Sequence, residues 1–110
     1  MYYIKKKFEI AGSHKLVLNY DSPCQNRHGH NWIFTVFCKK ETLNENGMVI
    51  DFKVIKEKVH NQLDHKDFNE VLNFNPTAEN IAKWVCDIVP YCYKVIVEES
   101  ANNEAIYEKV

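Results

Sequence analysis

The run Asn31-Trp32-Ile33-Phe34-Thr35-Val36-Phe37, between His30 and Cys38, constrains the fold more than any other part of the chain. β-Branched or aromatic residues fill nearly every position, so it reads as a strand. A strand apolar at odd and even positions alike needs cover on both faces. It therefore belongs at the centre of a sheet. The segment before it, Tyr3 to Ile10, alternates Phe8 and Ile10 with Lys7 and Glu9, the period of a strand with one wet face. That strand ends in Ala11-Gly12-Ser13-His14, and the polar loop Asn19–Pro23 follows.

Asn46-Gly47 marks a turn, and Met48-Val49-Ile50 reads as a short extended piece. Asp51 then caps a helix in which Phe52, Ile55, Val59 and Leu63 recur at helical spacing, ending near Leu63-Asp64-His65. Thr77 caps a second helix with Ile81, Val85 and Ile88 on its apolar face, and Pro90 stops it. Tyr93–Glu99 and Ala105–Tyr107 are a third and a fourth strand, joined at Asn102-Asn103. The order strand, strand, helix, helix, strand, strand gives an α+β fold: a four-stranded antiparallel sheet with two helices on one face. Two open edges and a central strand that needs cover on both sides predict an oligomer.

The chain has 110 residues, enough for one domain spanning 1–110. Lys and Arg total 14 against 15 for Asp and Glu, with no long block of one sign, which argues against nucleic acid or a membrane surface as partner. No apolar run is long enough to span a bilayer, and the start Met1-Tyr2-Tyr3-Ile4 runs into three lysines and Glu9, unlike a secretory signal. A cytoplasmic location is expected. There the four cysteines, Cys24, Cys38, Cys86 and Cys92, which form no C-x-x-C pair, should stay reduced.

The chemistry concentrates in Cys24-Gln25-Asn26-Arg27-His28-Gly29-His30, taken with His14. Residues two apart in an extended segment share a face, so His28 and His30 present two imidazoles side by side. If the first two strands form an antiparallel hairpin, His14 at the end of one lies beside His28 at the start of the other. Three imidazoles then converge, the pattern of a catalytic Zn²⁺ site with one position left for water or substrate, although imidazole also suits Fe, Ni and Cu. Cys24 admits three readings: a small buried hydrophobe, a fourth zinc ligand, or a general base whose thiolate a nearby cation favours. The last leads, because Cys24 alone of the four lies in a polar loop. Asp64 beside His65 is material for a proton relay, or equally a helix-end histidine favoured by the dipole. Glu99 alternates onto the face of Tyr93, Val95 and Val97, so its carboxylate should point inward and need donors, which an amine and a ring N–H of a ligand would supply.

Ala11-Gly12-Ser13-His14, Cys24 with His28-Gly29-His30, Leu63-Asp64-His65, Asn75-Pro76-Thr77-Ala78-Glu79 and Glu99-Ser100 occur in the order found in the 6-pyruvoyltetrahydropterin and 6-carboxytetrahydropterin synthases, and the chain resembles that family over essentially its whole length. The three residues between Cys24 and His28 resemble the bacterial carboxy-forming branch of queuosine biosynthesis. The resemblance implies the tunnelling fold, with trimers closing a β-barrel and two trimers stacking into a hexamer. It implies a zinc-dependent lyase converting 7,8-dihydroneopterin triphosphate to 6-carboxy-5,6,7,8-tetrahydropterin, acetaldehyde and triphosphate. Zn²⁺ would sit on His14, His28 and His30, with Cys24, Asp64, His65 and Glu99 catalytic. Glu99 would also grip the pterin, and Thr77 would border its pocket. The alternatives are a pyruvoyl-forming or folate-pathway pterin enzyme on the same substrate, and a non-catalytic zinc-stabilised module.

Overall fold

The structure, a computed structural model, describes residues 1–110. Strand β1 (Tyr2–His14) and strand β2 (His28–Lys40) form a long antiparallel hairpin. A helical segment follows: α1 (Phe52–Ile55), a wide π-type turn (Lys56–His60) and α2 (Asn61–Leu63). After it come β3 (Lys66–Asp67), the one-turn helix α3 (Phe68–Val71), α4 (Ala78–Ile88), β4 (Cys92–Ser100) and β5 (Asn103–Glu108). The sheet order is β3-β1-β2-β4-β5.

The four long strands pair antiparallel as expected, but the sheet has a fifth member. The two-residue β3 pairs parallel with Gly12 and Ser13 of β1. No hydrophobic alternation can develop over two residues, so this strand leaves no periodic trace in the sequence. Likewise α3 is too short to show a helical period, and Met48-Val49-Ile50 forms bends rather than a strand, although Val49 and Ile50 are buried.

The helices cover one face of the sheet. Ile55, Val59 and Leu63 from the first helical segment and Ile81, Ala82 and Val85 from α4 join Ile10, Trp32, Phe34, Val36, Val95 and Val97 in a single buried cluster. Asp51 caps α1 by accepting from Lys53 N, and Thr77 Oγ1 caps α4 by accepting from Asn80 N at 3.1 Å. Within this chain β2 is buried on the helix side alone: Trp32, Phe34, Val36 and Cys38 are inaccessible, whereas Ile33, Thr35 and Phe37 are half-buried. The expected second cover is thus not supplied by the chain itself. On that open face Tyr93 meets Tyr3 and Phe37, with ring centroids 6.1 and 6.2 Å apart. A bulge between the Cys38–Cys92 and Phe37–Lys94 pairs takes Tyr93 out of the alternation that Val95, Val97 and Glu99 keep.

Cys38, Cys86 and Cys92 lie in the core and are free thiols. Burial pushes the Cys86 thiol up to about 12, and the hydrogen bond with Cys38, together with burial, raises that of Cys92. Thiols held protonated in this way are poor nucleophiles and poor bases.

Candidate metal centre and its surroundings

The hairpin register sets the centre. His14 lies opposite His28, and Gly12 opposite His30, so all three histidines fall on the helix side at one end of the sheet. The β2–β4 register, with Ile33 opposite Glu98, brings Glu99 to the same end. One ligand atom from each of His14, His28, His30 and Glu99 lies within 4.8 Å of all the others. Three of these residues are those expected from sequence as metal ligands. Glu99 joins them as a fourth donor, whereas Cys24 does not belong to the group.

The hydrogen bonds fix the chemistry of the rings. His14 Nδ1–H donates to the Pro76 carbonyl at 2.8 Å, and His28 Nδ1–H donates to the Asn26 carbonyl at 2.7 Å. In a neutral imidazole the other nitrogen then carries a lone pair. These two Nε2 atoms face each other at 3.0 Å. Two lone pairs at that separation repel unless a cation or a proton lies between them. His30 Nε2 is buried without a hydrogen-bond partner, although Glu99 Oε1 lies 3.0 Å away, because the approach is not aligned with a ring N–H. Lone pairs converging from backbone-anchored rings, with an orphaned nitrogen beside them, fit a divalent metal, and the carbonyls that hold His14 and His28 are the usual outer partners of such ligands.

Burial is the largest influence on His14 and lowers its pKa from the ordinary 6.5; the Pro76 carbonyl and Glu99 oppose this, while His28 and His30 reinforce it. The ring is neutral at neutral pH, as a ligand must be. Since the unfolded chain binds the proton that the folded ring refuses, His14 contributes stability above about pH 6.5 that is lost as pH falls through that value and then through the lowered one. For metal-free protein, the urea midpoint should therefore be lower at about pH 5 than at about pH 8, and replacing His14 by a residue that does not titrate should flatten the difference. An unchanged midpoint in the parent protein would contradict this account of His14.

Trp32 and Gly12 build the floor. Trp32 Nε1–H donates to the Gly12 carbonyl at 3.1 Å, and the indole lies edge to face with His14 and His30. A Cβ on Gly12 would overlap the Phe68 ring, so this position has no room for a side chain.

The segment after His14 is held by side chains in place of a strand. Asn69 accepts from Lys15 N at 2.8 Å and donates to Lys15 O at 3.0 Å; Asn75 does the same for Val17 at 2.9 and 3.1 Å. Leu16 N donates to Cys24 O at 2.8 Å, and Ser22 Oγ accepts from Cys24 N, so the loop carrying the half-buried Cys24 folds back onto the residues that follow His14. Arg27 is ion-paired with Asp67, tying the start of β2 to the cap of α3.

Asp64 and His65 stand apart from the four donors. Asp64 follows the last residue of α2 and has left the helix, and His65 adopts φ 59°, so these neighbours do touch: His65 Nε2 lies 3.6 Å from Asp64 Oδ2. Asp64 Oδ1 accepts from Ala11 N at 3.0 Å, and His65 N donates to Ala11 O at 2.7 Å. The pair is thereby clamped to β1, with the His65 side chain 81% exposed. Thr77 spends its hydroxyl on the α4 cap. Beside Glu99 opens a cleft of about 430 Å³ between the start of α4 and the β4–β5 turn, lined by Glu79, Glu99, Ser100, Asn103 and Glu104 among others. Its lining is part apolar, from Ala78, Ala105 and Ile106, and part acidic, which suits a ligand with a flat apolar body and N–H donors.

Residues 3–110 match the family model described as 6-pyruvoyl tetrahydropterin synthase. The chain is 33% identical to the 6-carboxy-5,6,7,8-tetrahydropterin synthase of Synechocystis sp., covering 97% of this chain and 93% of that protein. To the protein of the same name from Bacillus subtilis it is 26% identical, covering 94% and 83%. Its fold is similar to the solved structure of Caenorhabditis elegans 6-pyruvoyl tetrahydropterin synthase, with a TM-score of 0.77 at 23% identity over 99% of this chain and 96% of that one.

Proposed function

The chain belongs to the 6-pyruvoyl tetrahydropterin synthase family of pterin lyases, and on that basis we propose that it converts 7,8-dihydroneopterin triphosphate and water to 6-carboxy-5,6,7,8-tetrahydropterin, acetaldehyde and triphosphate, on the route to queuosine. The observation that carries this reading is the convergence of His14, His28 and His30 Nε2 beside an acidic cleft. The relatives named for the carboxy product favour it over the pyruvoyl one.

In this reading His14, His28 and His30 hold Zn²⁺, which when bound polarises a substrate oxygen and acidifies the neighbouring C–H. Cys24, on the loop bound to Leu16, takes that proton as a thiolate. Asp64 orients His65, whose exposed imidazole delivers and collects protons. Glu99 has two oxygens: one lies by His30, and the carboxylate lines the cleft, where it receives the amino group and ring N–H of the pterin. Thr77, at the start of α4 beside Ala78 and Glu79 of the cleft wall, borders the pterin.

The unit works as one domain, residues 1–110, in the cytoplasm. Its partners are a small pterin substrate and copies of itself, with no nucleic acid and no membrane; no helix is long and apolar enough to cross a bilayer. The outer edge of β5 and most of β1 pair with no further strand, and the open face bearing Ile33 and Phe37 is half-buried at best. Closure of three chains into a barrel, and of two barrels into a hexamer, would use both features.

Incubation of purified, zinc-loaded protein with 7,8-dihydroneopterin triphosphate, followed by mass spectrometry, tests the reaction. The carboxy pterin together with acetaldehyde is expected. The pyruvoyl pterin without acetaldehyde would replace the proposed outcome with the sister reaction, and no consumption would overturn both.

A further inference from the structure

His60 has no part in the roles above, yet its setting is specific. It closes the π-type turn Lys56–His60, and such turns gather at functional sites. Its Nε2 faces Asp64 Oδ2 at 3.5 Å, while its Nδ1 is buried with no hydrogen-bond partner. The ring is located by Phe8, edge to face at 6.1 Å, and Phe8 is in turn stacked on Phe34 at 5.6 Å.

The unpartnered Nδ1 decides the state of the ring. An imidazolium would bury an N–H with nothing to receive it, and so would the Nδ1–H tautomer, which would also turn a lone pair toward a carboxylate. The remaining form is the neutral Nε2–H tautomer, which puts its one donor on the nitrogen 3.5 Å from Asp64 Oδ2. At 3.5 Å the contact is longer than a good hydrogen bond, within the range that tightens when a substrate closes a site. The second imidazole at Asp64 Oδ2, His65, differs in the respect that matters: its side chain is 81% exposed, so it is open to exchange protons with substrate and solvent.

We propose that His60 is a positioning residue, which holds the Asp64 carboxylate through a neutral Nε2–H and so leaves His65 as the imidazole that carries the proton. This rests on the reading in which Asp64 and His65 move protons. His60 ends the π-type turn and lies four residues before Asp64, whose N–H donates to the His60 carbonyl at 2.9 Å, so the last helical turn sets the two side chains one above the other.

Two measurements test it. ¹⁵N spectra of histidine-labelled protein at neutral pH should show His60 as the Nε2–H tautomer; an imidazolium or the Nδ1–H form would overturn the proposal whatever the enzyme turns over. In kinetics, His60→Gln places an amide N–H where Nε2 lies, and His60→Asn places it near Nδ1, short of Asp64. His60→Gln should keep kcat within about threefold of the parent, while His60→Asn loses about tenfold in kcat with KM and zinc content unchanged. Equal losses in both variants, or a change confined to KM, would overturn it. Absence of turnover in the parent protein would instead bring down the assigned reaction, and the tautomer would still decide whether His60 holds Asp64.

Discussion

Replacing His28 by alanine is expected to remove the metal and the turnover together. His28 Nε2 lies 3.0 Å from His14 Nε2, and its other nitrogen is tied to the Asn26 carbonyl, so its loss takes away one of the two ring nitrogens that face each other at the centre of the group. Loss of an outer-shell partner alone typically costs about 10–100-fold in affinity or activity, and loss of a ligand should cost more. The fold should survive, because His28 pairs with β1 through its backbone at the end of the hairpin and lies outside the apolar cluster. Metal analysis after dialysis, run beside the product assay and a thermal melt, checks all three statements. Zinc retained at the parent stoichiometry would remove the imidazole site from consideration.

The second large effect is expected from Cys24→Ala, which should keep its zinc and its melting temperature while kcat falls by about 10²–10⁴-fold, the span that a positioned acid or base contributes. The four donors that converge include Glu99 and not Cys24, so the metal does not depend on the thiol. The Cys24 backbone contacts with Leu16 and Ser22 persist in alanine. Zinc lost along with folded structure would restore the reading of a stabilising module with Cys24 as a ligand.

Much of this site was legible because it rests on short-range geometry. His28 and His30 share a face by the strand period alone, and His14 needed a single inference, that consecutive strands form a hairpin. Thr77 and Asp51 announced their caps by residue type. What stayed hidden depends on distant parts of the chain. Glu99 was expected to face inward toward a ligand, but its place at 3.0 Å from His30 follows from the β2–β4 register, which no local pattern encodes. The bulge that carries Tyr93 to the open face, the two-residue parallel pairing of β3 with Gly12 and Ser13 and the π-type turn at Lys56–His60 are too short to leave a periodic signature. The apolar run of β2 called for cover on both faces; the helices supply one, and the other, half-buried within one chain, is the face that the proposed barrel would cover.

The amide of Asn75, which stands in for a neighbouring strand by bonding both backbone groups of Val17, also bears on how the molecule ages. Asparagine converts slowly to aspartate when the nitrogen of the following residue attacks the side-chain carbonyl, and conversion here would replace the donor to Val17 O with a carboxylate. The next residue is Pro76, whose nitrogen carries no hydrogen, so that cyclisation is closed. The same residue that gives its carbonyl to His14 thus spares the neighbouring amide from chemical wear.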